Sequence, residues 1–325
     1  MTKLLNSFLE PFIFILLVAI SIFLALSSTI SGAVLSGINL WFACVLPSLF
    51  PFFIVTACFS YLKITGRLCS KLTPLTTRLF NTNGLVGYAF FMSIISGYPM
   101  GAKVVSDLRT TNALTSSESV RAVALCSTSS PMFLISSVGT FMFNSTAFGT
   151  CLFMSHLLSA LTVGIIFSFY KRNDKPLSFQ KQIEPQRVDN FLYETVCSAV
   201  ISALVVGGMI TLFYLVIEIL LAFNLLSPLI SGLNLVINNE QTAKGVILGI
   251  FECTRGLQSV ASCGATRLSL CCCSFICGFG GISVIMQSLI YIKKAKIKTA
   301  PFFIAKILMA VISCVLSFLL YPIFF

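Results

Sequence analysis

The strongest constraint in this sequence is a polar, turn-forming stretch set inside an apolar segment. The segment 84–107 contains Ser96-Gly97-Tyr98-Pro99-Met100-Gly101-Ala102-Lys103, and Asp107 follows one helical turn later. Unpaired backbone groups are costly in bilayer hydrocarbon, so irregular backbone at membrane depth occurs only inside protein or beside a water-filled cavity. Ionisable side chains at that depth mark functional sites. In a membrane protein, this stretch predicts one half of a ligand site.

Composition places the chain in a membrane. Of the 325 residues, 57% are hydrophobic and 10% are charged, whereas a soluble domain carries about 25% charged residues. The net charge of +11 comes from Lys and Arg that lie mainly between apolar segments, where membrane topology accounts for them. We therefore expect an integral, multi-pass membrane protein with the lipid bilayer as a partner, and we exclude nucleic-acid binding.

Residues that could perform chemistry are sparse. No nucleophile–base pair is visible, and His156, the one histidine, lies in an apolar span where packing is its expected role. An enzyme is therefore not expected. The thirteen cysteines show no paired CxxC spacing, and the cluster Cys271-Cys272-Cys273 lies in an apolar span. Because successive helical residues point about 100° apart, these three thiols cannot converge on one metal. Neither a metal nor another cofactor is expected.

Apolar spans and interrupted segments alternate along the chain. The spans are 11–29, 35–61, 119–143, 147–170, 193–222, 268–292 and 300–325, and the interrupted segments are 84–107 and 243–262. A cleaved signal peptide is the alternative for the first span, but a second span follows a short loop at 30–34, which favours an uncleaved helix. The predicted domains are an N-terminal transmembrane helix at 1–30, a first repeat at 35–170, a charged cytoplasmic linker at 171–192 and a second repeat at 193–325.

The two halves of the chain match each other. Gly101-Ala102-Lys103 corresponds to Gly256-Leu257-Gln258, an offset of 256 − 101 = 155, and this offset places the helix containing Pro51 over the helix containing Gly207-Gly208. In each half a kinked span is followed by an interrupted segment, a broken span and a plain span. If the interrupted segments are re-entrant hairpins, each half crosses the membrane three times and the halves are inverted.

The distribution of charge favours this topology. With the N-terminus inside, only Lys244 and Arg267 among the loop cations lie on the outer side, as the positive-inside rule requires. The predicted fold class is an all-α polytopic membrane protein, built as an inverted repeat with re-entrant hairpins and broken helices. Such folds are typical of secondary transporters, whose substrate site lies where the helix breaks meet.

The predicted substrate site joins four breaks. The residues expected to contact substrate are Ser96, Gly97, Tyr98, Pro99, Gly101, Lys103, Ser129, Ser130, Glu252, Thr254, Arg255, Gly256, Gly280 and Gly281. The Arg255 guanidinium suits a carboxylate, and it binds either the substrate or Glu252 on the same helix face. Lys103 is expected to pair with Asp107, and Lys306 to extend its ammonium to the membrane surface.

Four motifs in this chain resemble one known family. They are Ser96-Gly97-Tyr98-Pro99-x-Gly101-Ala102-Lys103, Cys126-x-x-Ser129-Ser130-Pro131-x-Phe133, Gly249-x-Phe251-Glu252-x-Thr254-x-Gly256, and Phe279-Gly280-Gly281 with Gln287. The chain resembles the sporulation integral membrane protein family known as YlbJ over nearly its whole length after the first helix. That family carries the nucleoside-recognition or Gate domain, which is similar to the core of concentrative nucleoside transporters. The resemblance adds Gln287 to the predicted substrate-binding residues.

The resemblance implies a function in sporulation. It implies a protein of the outer forespore membrane, or cell membrane, of a spore-forming bacterium that carries dipicolinate from the mother cell towards the forespore. Dipicolinate is a small aromatic anion with two carboxylates, which helix N-termini, Arg255 and hydroxyl groups suit. Two alternatives stay open: a transporter of nucleosides or another small solute, and a non-transporting sporulation scaffold, against which the inward breaks argue. The oligomeric state also stays open, a homo-oligomer included.

Overall fold

Helices form all of the regular secondary structure in the residues that the structure describes. This computed structural model describes residues 14–18, 21, 27–59, 64–177 and 190–325. The predicted first span, 11–29, lies mostly outside these residues, as does much of the predicted linker. In chain order the elements are α1 (Ser27–Leu40), π1 (Trp41–Val45), α2 (Leu46–Phe59), α3 (Ile64–Phe80), α4 (Gly84–Ser96), α5 (Met100–Thr110), α6 (Ser116–Leu125), π2 (Met132–Met142), α7 (Thr146–Ser168), α8 (Phe191–Ala222), α9 (Ser227–Ile237), α10 (Glu240–Phe251), α11 (Cys253–Ala261), α12 (Arg267–Phe279), α13 (Gly281–Lys294) and α14 (Thr299–Phe324).

Long apolar helices confirm that the chain is an all-α, polytopic membrane protein. Five helices in the described part are long and apolar enough to cross a membrane: Ser31–Phe59, Thr146–Ser168, Phe191–Ala222, Arg267–Lys294 and Thr299–Phe324. A helix satisfies its own backbone hydrogen bonds, so such segments are stable in hydrocarbon. The predicted span 119–143 is present as α6 and π2, separated by irregular backbone at 126–130.

The order of elements in residues 27–168 recurs in residues 191–324. Each part contains a long helix, a short helix, a pair of helices, a broken helix and a final long helix. The two opening helices, α1–α2 and α8, pack on each other, and the two final helices, α7 and α14, do the same. In addition, α5 packs on α13 and α11 packs on π2. The helix pairs and broken helices of both parts therefore meet in the interior of the bundle.

The first long helix contains the prolines that the sequence analysis expected to kink it. The π-helical turn π1 lies just before Pro47 and Pro51, which have no backbone N–H to donate. The Ser48 hydroxyl donates to the carbonyl oxygens of Cys44 and Val45 at 3.1 and 2.9 Å. Side-chain hydroxyls thus satisfy carbonyls near the irregular turn, as is common where a helix ladder is interrupted.

One predicted loop is wrong. The residues 30–34, placed between the first two spans, are helical and belong to α1. The serines, threonine and glycine around this position lower helix propensity, but only proline strongly opposes helix within a segment. The loop prediction gave too much weight to a short polar interruption.

Short helices connect the opening helix of each part to its helix pair. In α3 basic residues lie along an amphipathic helix. In α9, Leu235 and Val236 are more than four-fifths exposed. An amphipathic or apolar helix of this length, too short to span, is suited to the membrane interface.

Candidate functional site

The first helix pair, α4–α5, turns at Gly97 and packs its tip on the broken helix of the same half. We call this pair the first hairpin and the irregular residues 126–130 the first break. Gly97 has φ +73°, which favours glycine, and a Cβ there would lie 2.8 Å from the Ser130 nitrogen. A Cβ on Gly101 would lie 1.8 Å from the Cys126 carbonyl oxygen. Only glycine allows the backbones to approach this closely.

Hydroxyl groups hold the first hairpin in place. The Ser93 hydroxyl donates to the Cys126 carbonyl oxygen at 2.5 Å and lies 2.6 Å from the Thr128 hydroxyl oxygen. The Ser96 hydroxyl donates to the Phe52 carbonyl oxygen at 3.1 Å and bonds to the Thr56 hydroxyl. The predicted residue Ser96 therefore connects the tip of the first hairpin to α2. Pro99 follows Tyr98 through a cis peptide bond and caps the start of α5.

The first break ends on Ser130, whose hydroxyl accepts a hydrogen bond from the Phe133 backbone nitrogen at 3.2 Å. The Ser129 backbone nitrogen donates to His156 Nε2 at 2.9 Å. An N–H group can only donate, so His156 Nε2 is the acceptor in this hydrogen bond. His156 is thus a specific partner of the break, and packing alone does not describe its role.

The second helix pair, α10–α11, repeats this arrangement. We call it the second hairpin, and we call Gly280, between α12 and α13, the second break. Glu252 is extended between the two helices, and its carboxylate accepts a hydrogen bond from the Arg255 backbone nitrogen at 2.7 Å. A Cβ on Gly256 would lie 2.3 Å from the Gly249 Cα, and one on Gly281 would lie 3.0 Å from the Cys253 nitrogen. The second hairpin is closely packed within itself and against the second break.

A cavity lies between the two hairpin tips. Its empty space is about 480 Å³, counting the part that opens to the surface. Its polar lining consists of Tyr98, Ser129, Glu252, Thr254 and Gln287, all among the predicted site residues. The rest of the lining is apolar or thiol: Val45, Leu49, Phe133, Val206, Ile210, Cys253, Cys277 and Val284. The lining is therefore mainly apolar, with a few polar residues placed around it.

Lys306 is a residue of this region that the sequence analysis placed wrongly. Its side chain is only 1% exposed, and its Nζ donates to the Tyr98 hydroxyl oxygen at 2.6 Å. It lies seven residues into α14, about 10 Å from the helix start, and it points inwards. Its inward position could have been inferred from the sequence, because an ionisable residue within a long apolar span usually faces the protein interior.

Arg255 lies away from the cavity lining and binds α8. Its Nη2 is 2.6 Å from Glu218 Oε1, its Nη1 donates to the Tyr214 hydroxyl, and its guanidinium carbon is 4.2 Å from the centre of the Tyr214 ring. This is the one ion pair in the described residues, and it replaces the side-chain pair expected with Glu252. The partner lies 37 residues away on another helix, so local spacing could not reveal it.

Lys103 also binds α8. Its Nζ donates to the hydroxyl oxygens of Ser198 and Ser202 at 3.1 and 3.5 Å. The expected ion pair with Asp107 is absent among the described residues. Both hairpins are therefore anchored to α8, the first near its start and the second near its end.

These features define a class: a multi-pass helical membrane protein whose hairpin tips enclose a cavity suited to a small solute. The chain is 29% identical over 313 residues to the sporulation integral membrane protein YlbJ of Bacillus subtilis (strain 168), an alignment that covers 88% of this chain and 76% of that protein. The similarity supports membership of the YlbJ-type family, and the prediction made from the four motifs is confirmed. No family model matches the chain, and no solved structure matches it.

Alanine at the close-packed glycines tests the contact between hairpins and breaks. Gly101→Ala and Gly256→Ala should each lower stability by about 1–3 kcal/mol, because the added methyl group meets backbone atoms. Gly208→Ala is the matched control, since nothing lies within 4 Å of its Cβ position. Thermal unfolding of the purified proteins in detergent measures the difference. Equal melting temperatures for all three variants would contradict the packing described here.

A double-mutant cycle tests the anchor of the second hairpin. Arg255→Gln and Glu218→Gln should each destabilise the protein, and the double variant should lose no more than the worse single variant. The two side chains are 23% and 25% exposed, so solvent screening limits the expected coupling to about 1 kcal/mol. Melting temperatures in detergent provide the measurement. Strictly additive losses would show that the pair contributes no coupling.

Proposed function

We propose that this protein is a membrane transporter that carries dipicolinate across the outer forespore membrane, from the mother cell towards the forespore. The observation that carries the proposal is the cavity formed where the hairpin tips and the helix breaks of both halves meet. Substrates of secondary transporters bind at such meeting points. The name of the Bacillus subtilis relative supports a role in sporulation, and the family resemblance supports dipicolinate as the substrate.

The recurring order of helices supports an inverted repeat of the Gate-domain type, similar to concentrative nucleoside transporters. Opening helices pack on each other, final helices pack on each other, and each hairpin contacts the broken helix of the other half. A pseudo-two-fold axis through the cavity would generate these crossed contacts. In this proposal each hairpin is re-entrant and covers the cavity from one side of the membrane, so that the hairpins open in alternation.

The cavity chemistry suits a small aromatic acid. Apolar side chains such as Leu49 and Phe133 can pack against a ring, and Tyr98, Thr254 and Gln287 offer donors to carboxylate oxygens. The Glu252 carboxylate would repel a dianion, but it caps its own helix through the Arg255 nitrogen. The positive end of that helix offsets part of its charge.

Glu252 also favours a second candidate substrate. A carboxylate in the cavity wall accepts hydrogen bonds from hydroxyl groups, and a ribose presents such groups. Nucleosides are therefore the alternative cargo for the same cavity, and direct competition between the two ligands decides between them.

Reporter fusions on both sides of each hairpin test the topology. Fusions after Asn81 and Asn112 should both report the cytoplasm, because a re-entrant hairpin returns to the side from which it enters. Fusions after Asn239 and Gly264 should both report the outer side. A hairpin whose two flanking fusions report opposite sides would be a full span, and the inverted repeat would be wrong.

Transport assays test the function. Proteoliposomes containing the protein should take up labelled dipicolinate, and excess unlabelled dipicolinate should block uptake while nucleosides should not. Cells without the protein should form spores poor in dipicolinate, as measured by its release on heating. Uptake of a labelled nucleoside, with no uptake of labelled dipicolinate, would assign the cavity to the alternative cargo. Uptake of neither would leave the scaffold as the better proposal.

A further inference from the structure

Lys306 is a buried basic residue whose amino group contacts the hydroxyl and the ring of Tyr98. Arg121 is equally buried, but its guanidinium donates to the carbonyl oxygens of Tyr170, Lys171 and Asp174. In the described part of the chain, the Lys306 ammonium has one hydrogen-bond acceptor, the Tyr98 hydroxyl, and no carboxylate within ion-pair distance. An ammonium has three donors, and burying its charge without an anion is costly.

The Lys306 side chain ends beside the start of a helix. A Cβ on Gly280 would lie 3.4 Å from Lys306 Nζ, so the ammonium sits beside the second break, where α13 begins. The first N–H groups of a helix lack partners within that helix and carry partial positive charge. An ammonium and a helix N-terminus therefore share one region of the protein interior, and both favour an anion nearby.

Tyr98 connects this region to the cavity. Its hydroxyl accepts a hydrogen bond from Lys306 at 2.6 Å and donates to the Cys277 carbonyl oxygen at 3.3 Å, which is long for an O–H···O bond. The Tyr98 side chain also lines the cavity, and the His156 ring packs edge-on against it. The hydroxyl proton can therefore turn from a poor acceptor to a better one inside the cavity.

We propose that Tyr98 and Lys306 together form the carboxylate-binding group of the cavity. The Tyr98 hydroxyl donates to a carboxylate of the ligand, and the Lys306 ammonium behind it balances the ligand's charge. A hydrogen bond polarised in this way is stronger than one from an isolated hydroxyl. Glu252, in the same cavity wall, repels carboxylates and so orients the ligand towards Tyr98. This inference rests on the proposed function for the presence of a carboxylate ligand, and it assigns to Lys306 the role predicted for Arg255.

Equilibrium binding to the purified protein in detergent tests the inference. Lys306→Met and Tyr98→Phe should each weaken dipicolinate binding by about tenfold or more, the loss expected for a charge-assisted hydrogen bond. The double variant should bind about as weakly as the worse single variant, because the two side chains act as one unit. Lys298→Met and Tyr193→Phe make the same chemical changes at exposed positions and should leave binding unchanged.

A neutral analogue separates charge recognition from damage to the fold. Dipicolinamide, in which both carboxylates of dipicolinate are replaced by neutral amides, should bind the wild type and Lys306→Met with equal affinity, because it carries no carboxylate. Picolinate and succinate serve as further carboxylate probes. Suppose that the wild type does not bind dipicolinate but binds picolinate or succinate, and that this binding is lost in Lys306→Met. That result would support the inference and overturn the assigned substrate.

Two outcomes would overturn the inference. If the wild type binds dipicolinate and Lys306→Met and Tyr98→Phe bind it equally tightly, the proposed function stands and the carboxylate group lies elsewhere. If the variants lose affinity for the neutral diamide as much as for dipicolinate, these side chains shape the cavity and recognise no charge.

Discussion

The close approach of each hairpin tip to a helix break is the contact on which the rest of the structure depends. Broken helices expose backbone groups that hydrocarbon cannot satisfy, so other parts of the protein must supply their partners. Here the Ser93 hydroxyl donates a hydrogen bond to the Cys126 carbonyl oxygen, and His156 Nε2 accepts one from the Ser129 backbone nitrogen. Gly101 has no side chain, so the first hairpin can pack directly against the backbone of the first break. The long apolar helices then surround these hydrogen-bonded contacts.

The charged groups divide into those that hold the hairpins and those that face the cavity. Lys103 and Arg255 bind α8 and stand apart from the cavity lining, whereas Glu252 lines it and Lys306 reaches it through Tyr98. The wall of the cavity thus contains the acidic Glu252, and the basic Lys306 lies behind Tyr98, outside the wall. Polar groups at defined places distinguish this cavity from a purely apolar one, as is usual for sites that bind small molecules.

The sequence predicted the breaks well, because glycine, proline and polar residues inside an apolar segment are unfavourable on a helix that faces lipid. It predicted four polar residues that line the cavity, Tyr98, Ser129, Glu252 and Thr254, and the family resemblance added Gln287. It did not predict partners that join distant helices. Arg255 was expected to bind Glu252 because spacing on one helix is visible, whereas Glu218 on α8 is not. Lys306 was misplaced for the same reason, since helix depth alone does not show which way a side chain points.

The two anchors on α8 differ in kind. The first hairpin is held by hydrogen bonds from Lys103 to neutral hydroxyls, and the second by an ion pair from Arg255 combined with contact to an aromatic face. From Ser198 to Glu218, α8 spans about 30 Å, so the anchors lie near opposite ends of one rigid rod. Detaching the hairpins breaks unequal sets of bonds. Detaching the two hairpins would therefore cost different amounts of free energy, although the helices around them follow the same order twice.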